Sequence, residues 1–145
     1  MSGGDGALDQ YWDALKENYR QDYSEVAADH IVFPRNTGEL IDHDAFSIIN
    51  DEHDDLLAIW LKIDNGIITN AAFTAENCVT CTACGSVITE LVRGKALADT
   101  LLITTDNVIA DLGGLPAKDL HCAELAVRAV HTAVQDYQGS TGELG

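Results

Sequence analysis

Residues 78–84 read Cys78-Val79-Thr80-Cys81-Thr82-Ala83-Cys84 and contain three of the four cysteines in the chain. They follow an apolar hairpin pattern and precede a run of small residues that predicts a helix. The fourth cysteine, Cys122, lies at the start of another predicted helix. In reducing compartments, clustered thiols bind metals or act in catalysis more often than they form disulfides. The stretch therefore predicts metal or redox chemistry.

The hairpin ahead of these cysteines is the most distinct structural signal in the sequence. Residues 56–63 form a nearly continuous apolar run, Asn65-Gly66 is typical of a type I′ turn, and an apolar run returns over residues 67–73. Antiparallel strands of similar length place their outer ends together. We therefore expect the polar loop Asn50–Asp55 and Cys78 to lie at the same end of the hairpin.

Apolar residues spaced three to four positions apart predict the helices. The predicted helices cover residues 8–31 (one long or briefly interrupted helix), 87–92, 96–102, 106–112 and 120–137. Pro34 ends the first, Glu39–Ile41 predicts a first short strand, and Thr104-Thr105 is an N-cap signal. This pattern predicts a single α+β domain over residues 8–138, with a small antiparallel β-sheet packed by helices. Residues 1–7 and 139–145 are expected to be flexible termini.

The composition indicates an acidic protein that does not bind nucleic acid or membranes. The 145 residues include eight basic and twenty-four acidic side chains, and the formal net charge is −16. Such a charge repels phosphate backbones and anionic lipid headgroups. The apolar runs are too short to span a bilayer, and no basic leader precedes them. We therefore expect a soluble, cytoplasmic protein.

Two donor sets follow from the positions of the thiols. Cys78 and Cys122 lie near helix N-termini, where the helix dipole favours the thiolate. In the first set they join His53 and Asp55, which the hairpin brings to the same end, as ligands for zinc or for an iron–sulfur cluster with non-cysteine ligation.

The second set uses only thiols. Cys78, Cys81 and Cys84 are spaced as in the front half of a cluster-binding run, with Cys122 as the fourth thiolate. If Cys81 or Cys84 points into the core instead, it is a small apolar residue without chemistry. The sequence leaves both sets open.

Four segments, in this order, carry a resemblance to a known family. They are Asp29-His30-Ile31-Val32-Phe33-Pro34-Arg35-Asn36-Thr37-Gly38, Phe73 to Cys78, Thr89 to Lys95, and Leu112 to Cys122. Together they resemble the NifU/IscU family of iron–sulfur cluster assembly scaffolds, from about Tyr23 to Tyr137. The resemblance implies a SufE/NifU-like α/β sandwich that is not an enzyme. It also implies that the protein receives sulfur from a cysteine desulfurase, assembles a [2Fe-2S] cluster and passes it to apoproteins.

The resemblance also implies roles for individual residues. Cys78 and Cys122 match the second and third of the family's three cysteines, Asp55 matches its aspartate, and His121 matches a histidine that supports the ligands. The loop Asn50–Asp55 is similar to the family's Asn-Pro-x-Cys-Gly-Asp, but His53 occupies the position of the first cysteine. An imidazole can ligate iron in place of a thiolate, yet it cannot carry a persulfide.

Two more departures concern the extra thiols and the partner loop. Cys81 and Cys84 lie where the family usually has small residues, and either could supply the missing sulfur ligand. The partner-recognition loop is Leu-Pro-Pro-x-Lys in relatives, whereas here it includes Leu115, Pro116 and Lys118 in a different arrangement. We therefore do not expect the family's usual chaperone as a partner.

Three functions remain open at this point. The first is a scaffold or carrier that binds iron and an iron–sulfur cluster and transfers the cluster to apoproteins. The second is a sulfur-relay protein, with zinc or iron bound in place of the cluster, that accepts persulfide from a cysteine desulfurase. The third is a binding module that has kept the fold and lost cluster assembly. Homo-oligomerisation is possible in each case.

Overall fold

The computed structural model describes residues 3–76 and 78–141. The elements are α1 (Gly3–Arg20), α2 (Glu25–Val32), β1 (Ala45–Asn50), β2 (Leu56–Asp64), β3 (Ile67–Glu76), α3 (Val79–Val92), α4 (Leu97–Thr100), α5 (Thr105–Asp111), a 3-10 turn (Ala117–Asp119) and α6 (Leu120–Thr141). They form a three-stranded antiparallel sheet with helices packed on it. The predicted α+β class is confirmed. Across the described ranges, no helix combines the length and apolar character that a bilayer crossing needs.

The predicted hairpin is confirmed and places the site. The sheet order is β1-β2-β3, and β2 pairs with β3 in antiparallel register from Leu56 opposite Glu76 to Asp64 opposite Ile67. Asn65 and Gly66 have φ angles of 52° and 75°, as a type I′ turn requires. The other end of the hairpin is therefore flanked by the loop before β2 and by Cys78 after β3.

The first strand lies later in the chain than expected. The prediction of a strand at Glu39–Ile41 is wrong, because β1 spans Ala45–Asn50 and Ile41 is 97% exposed. The chain just before residue 39 is bonded to β3, where Gly38 N–H donates to the Phe73 carbonyl at 2.8 Å. In the order β1-β2-β3, strands β1 and β3 are the two edges of the sheet. Residues 39–44 therefore connect the edge at β3 to the edge at β1.

Several helices begin or end at other residues than the spacing predicts. The break in the first helix is confirmed between α1 and α2, but α1 begins at Gly3, so residues 3–7 are helical and not ahead of the helix. Helix α3 begins at Val79, eight residues before its predicted start. Helix α6 continues through residues 139–141, which were predicted to belong to the tail. Residues 1, 2 and 142–145 lie outside the described part of the chain.

The core lies between the sheet and helices α3 and α6. Alternate residues of β2 face these helices and are fully or almost fully buried. They are Leu57, Ile59, Leu61 and Ile63. Phe73 of β3 is 1% exposed and packs against α3 at Gly85, where a Cβ atom would overlap the phenyl ring. Because the small residues of α3 allow this close approach, the N-terminus of α3 is held firmly beside the end of the hairpin.

A half-buried histidine between α2 and α3 predicts a lower free energy of unfolding in mild acid. His30 Nδ1 lies 2.7 Å from Ser86 Oγ, and burial, with the Arg35 charge, lowers the pKa of His30. As pH falls from 7 to 5, the unfolded chain therefore takes up a proton at this residue before the folded chain does, so the His30 contribution lowers the free energy of unfolding, whereas His121, whose pKa is raised, contributes in the opposite direction. One proton accounts for at most about 1.4 kcal/mol per pH unit. Urea unfolding at several pH values measures this slope.

The matched variant for this prediction is His30→Gln, which keeps a polar side chain without a titrating group. Its unfolding free energy should depend less on pH between 7 and 5 than that of the wild type. Asp29, whose pKa is lowered by its hydrogen bond from Arg35 against the effect of burial, acts only at lower pH. If the unfolding free energy changes equally with pH in the two proteins, His30 does not cause the loss of stability in mild acid.

Candidate metal centre

Cys78 occupies the junction between β3 and α3. It is the N-cap of α3, and its Sγ accepts a hydrogen bond from Cys81 N–H at 3.1 Å. The backbone of Cys78 is extended, with φ −161° and ψ 116°, as is usual for an N-cap residue. A sulfur at this position faces the positive end of the helix dipole, which favours the thiolate.

Cys122 approaches Cys78 from α6. The two Sγ atoms are 3.3 Å apart, and all four cysteines of the chain are free thiols. The hydrogen bond from Cys122, followed by that from Cys81, holds the pKa of Cys78 well below its ordinary value. The contact with Cys78 raises the pKa of Cys122. The two thiols therefore titrate as a coupled pair in which Cys78 is the more acidic member.

The other two cysteines of α3 differ in their surroundings. Cys81 belongs to the thiol group, which we define as Asp55, Cys78, Cys81 and Cys122, and whose ligand atoms all lie within 4.8 Å of one another. Its contacts with Cys122 and Cys78, together with burial, raise the pKa of Cys81. Cys84 lies outside this group and is fully buried in the core, and burial raises its pKa as well.

Asp55 is delivered by a tightly bonded loop before β2. Asp51 Oδ1 accepts hydrogen bonds from the N–H groups of His53 at 2.9 Å and Asp55 at 3.1 Å. Asp51 N–H also donates to the Asp55 carbonyl at 3.0 Å, and Asp54 takes a positive φ of 63°. Asp55 is 7% exposed. These bonds hold the Asp55 carboxylate at the thiols.

His121 connects the carboxylate with the thiol pair. Its Nε2 lies 3.0 Å from Asp55 Oδ2 and 3.6 Å from Cys122 Sγ. Burial alone would lower the pKa of His121, but its hydrogen bond with Asp55 and the charges of Asp51 and Asp55 raise the pKa overall. The histidine therefore orients both Asp55 and Cys122.

His53 does not lie in the thiol group. Its ring stacks on His121, with centroids 4.0 Å apart and an interplanar angle of 28°, and its Nδ1 lies 3.7 Å from Asp51 Oδ2. With Asp51 and His121 it forms the imidazole group, a second set whose ligand atoms all lie within 4.8 Å of one another. The sequence did not single out Asp51. The sequence feature that could have identified it is an Asp early in a polar loop, because the Asp side chain there commonly accepts a hydrogen bond from the backbone N–H two residues later.

The expected partner-recognition loop runs beside the thiol end of α3. Pro116 precedes the 3-10 turn, Leu115 packs partly buried on the core, and the Lys118 side chain is 72% exposed. Lys118 Nζ contacts Asp119 at 3.1 Å, and Tyr23 hydroxyl donates to the same carboxylate at 3.0 Å. The loop is therefore accessible, and its lysine is held near the domain by an ion pair.

The donor chemistry of the thiol group fits a soft metal centre. Thiolates select iron–sulfur clusters and zinc over magnesium or calcium, and a carboxylate can complete either set. Three sulfurs and one carboxylate oxygen that lie within 4.8 Å of one another match that preference.

Comparisons with known proteins agree with this reading. The family model described as NifU-like N terminal domain matches residues 22–143. The iron–sulfur cluster assembly scaffold protein IscU 1 of Archaeoglobus fulgidus is 35% identical over 123 residues, which cover 84% of this chain and 80% of the relative. IscU of Haemophilus influenzae is 34% identical over 125 residues, 83% of this chain and 98% of the relative.

A solved structure has the same fold. The N-terminal NifU-like protein from Brucella abortus superposes with a TM-score of 0.64 and 17% identity, over 79% of this chain and 92% of that chain. At this identity the likeness concerns the fold alone.

Proposed function

The chain belongs to the family of NifU-like N-terminal domains, and on that premise we propose that it is a scaffold or carrier that binds iron, holds an iron–sulfur cluster and transfers it to apoproteins. The observation that carries the proposal is the thiol group, in which Asp55, Cys78, Cys81 and Cys122 converge at one end of the hairpin. The scaffold names of the curated relatives support it. A [2Fe-2S] cluster is the cargo we propose, and zinc is the competing occupant.

We assign the ligands from this group. Cys78, Cys122 and Asp55 are three of them, as the resemblance also implies. Cys81 is the proposed fourth, because its sulfur lies with theirs and supplies a third thiol. His53 is the competing fourth ligand, since it occupies the matching position of the missing cysteine but lies in the imidazole group. Cys84 is not a proposed ligand, because it lies outside the thiol group.

The proposed sulfur source is a cysteine desulfurase. Cys78 is partly exposed, and its lowered pKa provides the thiolate. This thiolate attacks the outer sulfur of the desulfurase persulfide, the sulfur–sulfur bond of that persulfide breaks, and the desulfurase cysteine leaves as a thiolate. Free thiols favour a reducing compartment such as the cytoplasm. The altered loop around Pro116 and Lys118 supports a partner set without the usual chaperone.

Single substitutions separate the two candidates for the fourth ligand. We expect Cys81→Ser to lower the bound iron and acid-labile sulfide of protein purified without oxygen by about tenfold or more, because a ligand loss exceeds the effect of a supporting residue. Cys84→Ser should keep wild-type iron and sulfide. His53→Ala should keep the acid-labile sulfide and the visible spectrum of the cluster. The measurement is metal and sulfide analysis with a visible spectrum.

Each other result has a defined meaning. Iron and sulfide retained in Cys81→Ser and lost together in His53→Ala would make the imidazole the fourth ligand. Zinc alone in the wild type, with a persulfide on Cys78 or Cys122 after incubation with a desulfurase, would favour sulfur relay. No stoichiometric metal in the wild type would indicate a binding module without assembly chemistry.

A further inference from the structure

A cavity opens beside the thiol group, on the outer side of His121. Its volume is about 270 Å³, and it lies between the loop before β2 and the first turns of α6. The imidazole group, Asp51, His53 and His121, lines it. This group shares no residue with the thiol group, so any ion bound here would have its own ligands.

Asp51 carries an unused oxygen at this cavity. Its Oδ1 accepts from the two loop N–H groups and is therefore committed to the backbone. The Asp51 side chain is only 10% exposed. Its Oδ2 is buried and has no hydrogen-bond partner within the described ranges. A buried carboxylate oxygen without a partner is costly, and a bound cation would compensate for the cost. Because this oxygen lies 3.7 Å from His53 Nδ1, it faces the imidazoles.

From this geometry we propose a second metal site, for one divalent first-row transition-metal ion such as Fe²⁺, formed by Asp51, His53 and His121. Two imidazoles and one carboxylate, with the remaining positions open to the cavity, are the donor set typical of mononuclear ferrous sites. The inference goes beyond the proposed function, because the site needs neither a thiol nor a cluster.

The neighbouring groups favour this occupant. Asp55 Oδ2 lies 3.0 Å from His121 Nε2, and a carboxylate bonded to one ring nitrogen of a histidine orients the ring and raises the basicity of the other nitrogen. Glu52 and Glu124 also line the cavity and outnumber its one lining cation, Arg128. The local field therefore attracts a cation.

Ion binding requires one small movement. The two imidazole planes are now stacked at 28°, and a metal lies in the plane of each ring that ligates it. The His53 side chain is 51% exposed, so its ring can rotate about the Cβ–Cγ bond without displacing the core. His121 and Asp51 are held by hydrogen bonds and define the remainder of the site.

Cobalt titration of a full-length chain without the three site thiols tests the proposal. In Cys78→Ser/Cys81→Ser/Cys122→Ser, we expect about one Co²⁺ per chain, measured by calorimetry, with a visible spectrum that lacks the sulfur-to-cobalt charge-transfer band. Adding Asp51→Asn should weaken binding by about tenfold to a hundredfold or more, and His53→Ala should do the same. Asn keeps the Oδ1 acceptor for the loop and removes only the unused oxygen.

Matched controls use neighbouring groups of the same chemistry. Asp54→Asn, in the same loop and tolerant of positive φ, and His43→Ala, at another loop, should leave the cobalt affinity unchanged. If the thiol-free chain is folded by circular dichroism and binds no Co²⁺, or if Asp51→Asn binds as tightly as its parent, the site does not exist. If the thiol-free chain is unfolded, the wild type replaces it. In the wild-type background, Asp51→Asn must abolish the Co²⁺ absorption band that lacks sulfur-to-cobalt charge transfer. If that band persists in Asp51→Asn, the proposal is wrong.

Discussion

Replacing Cys122 with alanine is expected to remove the acid-labile sulfide, and the cluster iron that accompanies it, almost completely. Cys122 Sγ lies 3.3 Å from Cys78 Sγ and belongs to the thiol group, so its loss leaves two thiols and a carboxylate. The fall in sulfide retained after anaerobic desalting should exceed the about tenfold to hundredfold effect of losing a supporting residue. Metal and sulfide analysis of the two proteins, prepared in parallel, measures it.

The same variant should also change the acidity of Cys78. The hydrogen bond from Cys122 is the largest cause of the lowered pKa of Cys78, so that pKa should rise in Cys122→Ala. The thiolate is the reactive form, so alkylation of Cys78 near neutral pH should become slower and should need a higher pH to reach its full rate. Because Cys81 and Cys84 are fully buried, they contribute little to the alkylation.

Cys84→Ala is the matched control, since it removes a thiol from the same helix outside the thiol group. It should lose some stability, because Cys84 is fully buried, and keep its iron. If Cys84→Ala and Cys122→Ala lose iron equally, the loss reflects damage to α3 or α6 and not ligation. If Cys122→Ala keeps full iron and sulfide, the proposed ligand set is wrong.

The parts of the site that could be predicted from sequence are those governed by local chemistry. Asn65-Gly66 specifies the turn, and antiparallel pairing then brings Asp55 and Cys78 to one end whatever the remainder of the chain does. Cys122 could be proposed as a ligand from its thiol and its position at a helix start, but nothing in its own segment says which helix it faces. The distance between Cys78 and Cys122 depends on how α3 and α6 pack over the sheet.

The rotation of α3 decided which extra thiol joins the group. Cys81 and Cys84 are three residues apart and lie on nearby faces of the helix, so their spacing alone could not separate a ligand from a core residue. Cys78 begins the helix by accepting the hydrogen bond from Cys81 N–H, and this places Cys81 in the thiol group. Cys84 lies about one helical turn further along, outside the thiol group and buried in the core. A sulfur as N-cap is a weak sequence signal, since Ser, Thr, Asp and Asn are the usual caps.

Similarly, His53 was placed with the thiols because the hairpin brings its loop to the same end as Cys78, and the resemblance then puts it at a cysteine position. The imidazole is longer than a thiol side chain, and here it stacks on His121 at 4.0 Å instead of reaching the sulfurs. Asp51 was missed because its role depends on the backbone conformation of the loop. Loop geometry of this kind arises from several backbone hydrogen bonds at once, which residue types alone do not specify.

Gly85→Ala is expected to destabilise the fold strongly. A Cβ at residue 85 would lie 2.5 Å from Cε2 and 2.8 Å from Cγ of Phe73, whose ring is 1% exposed and has little room to move. Overpacking of this kind costs about 1–3 kcal/mol, and the overlap with several ring atoms places this variant at the upper end. Denaturant unfolding, with the midpoint and slope compared with the wild type, measures the change.

Two variants show whether the ring overlap is the cause. Gly139→Ala adds the same methyl group to a helix position with no atom within 4 Å, and should stabilise the chain by up to about 1 kcal/mol through helix propensity. Gly85→Ala/Phe73→Leu should be less destabilised than the sum of its single variants, because the smaller side chain relieves the overlap. Additive effects would mean that residue 85 matters for some other reason. Since α3 presents Cys78 and Cys81, any shift of the helix away from β3 should also lower iron retention in Gly85→Ala, and the double variant should recover part of it.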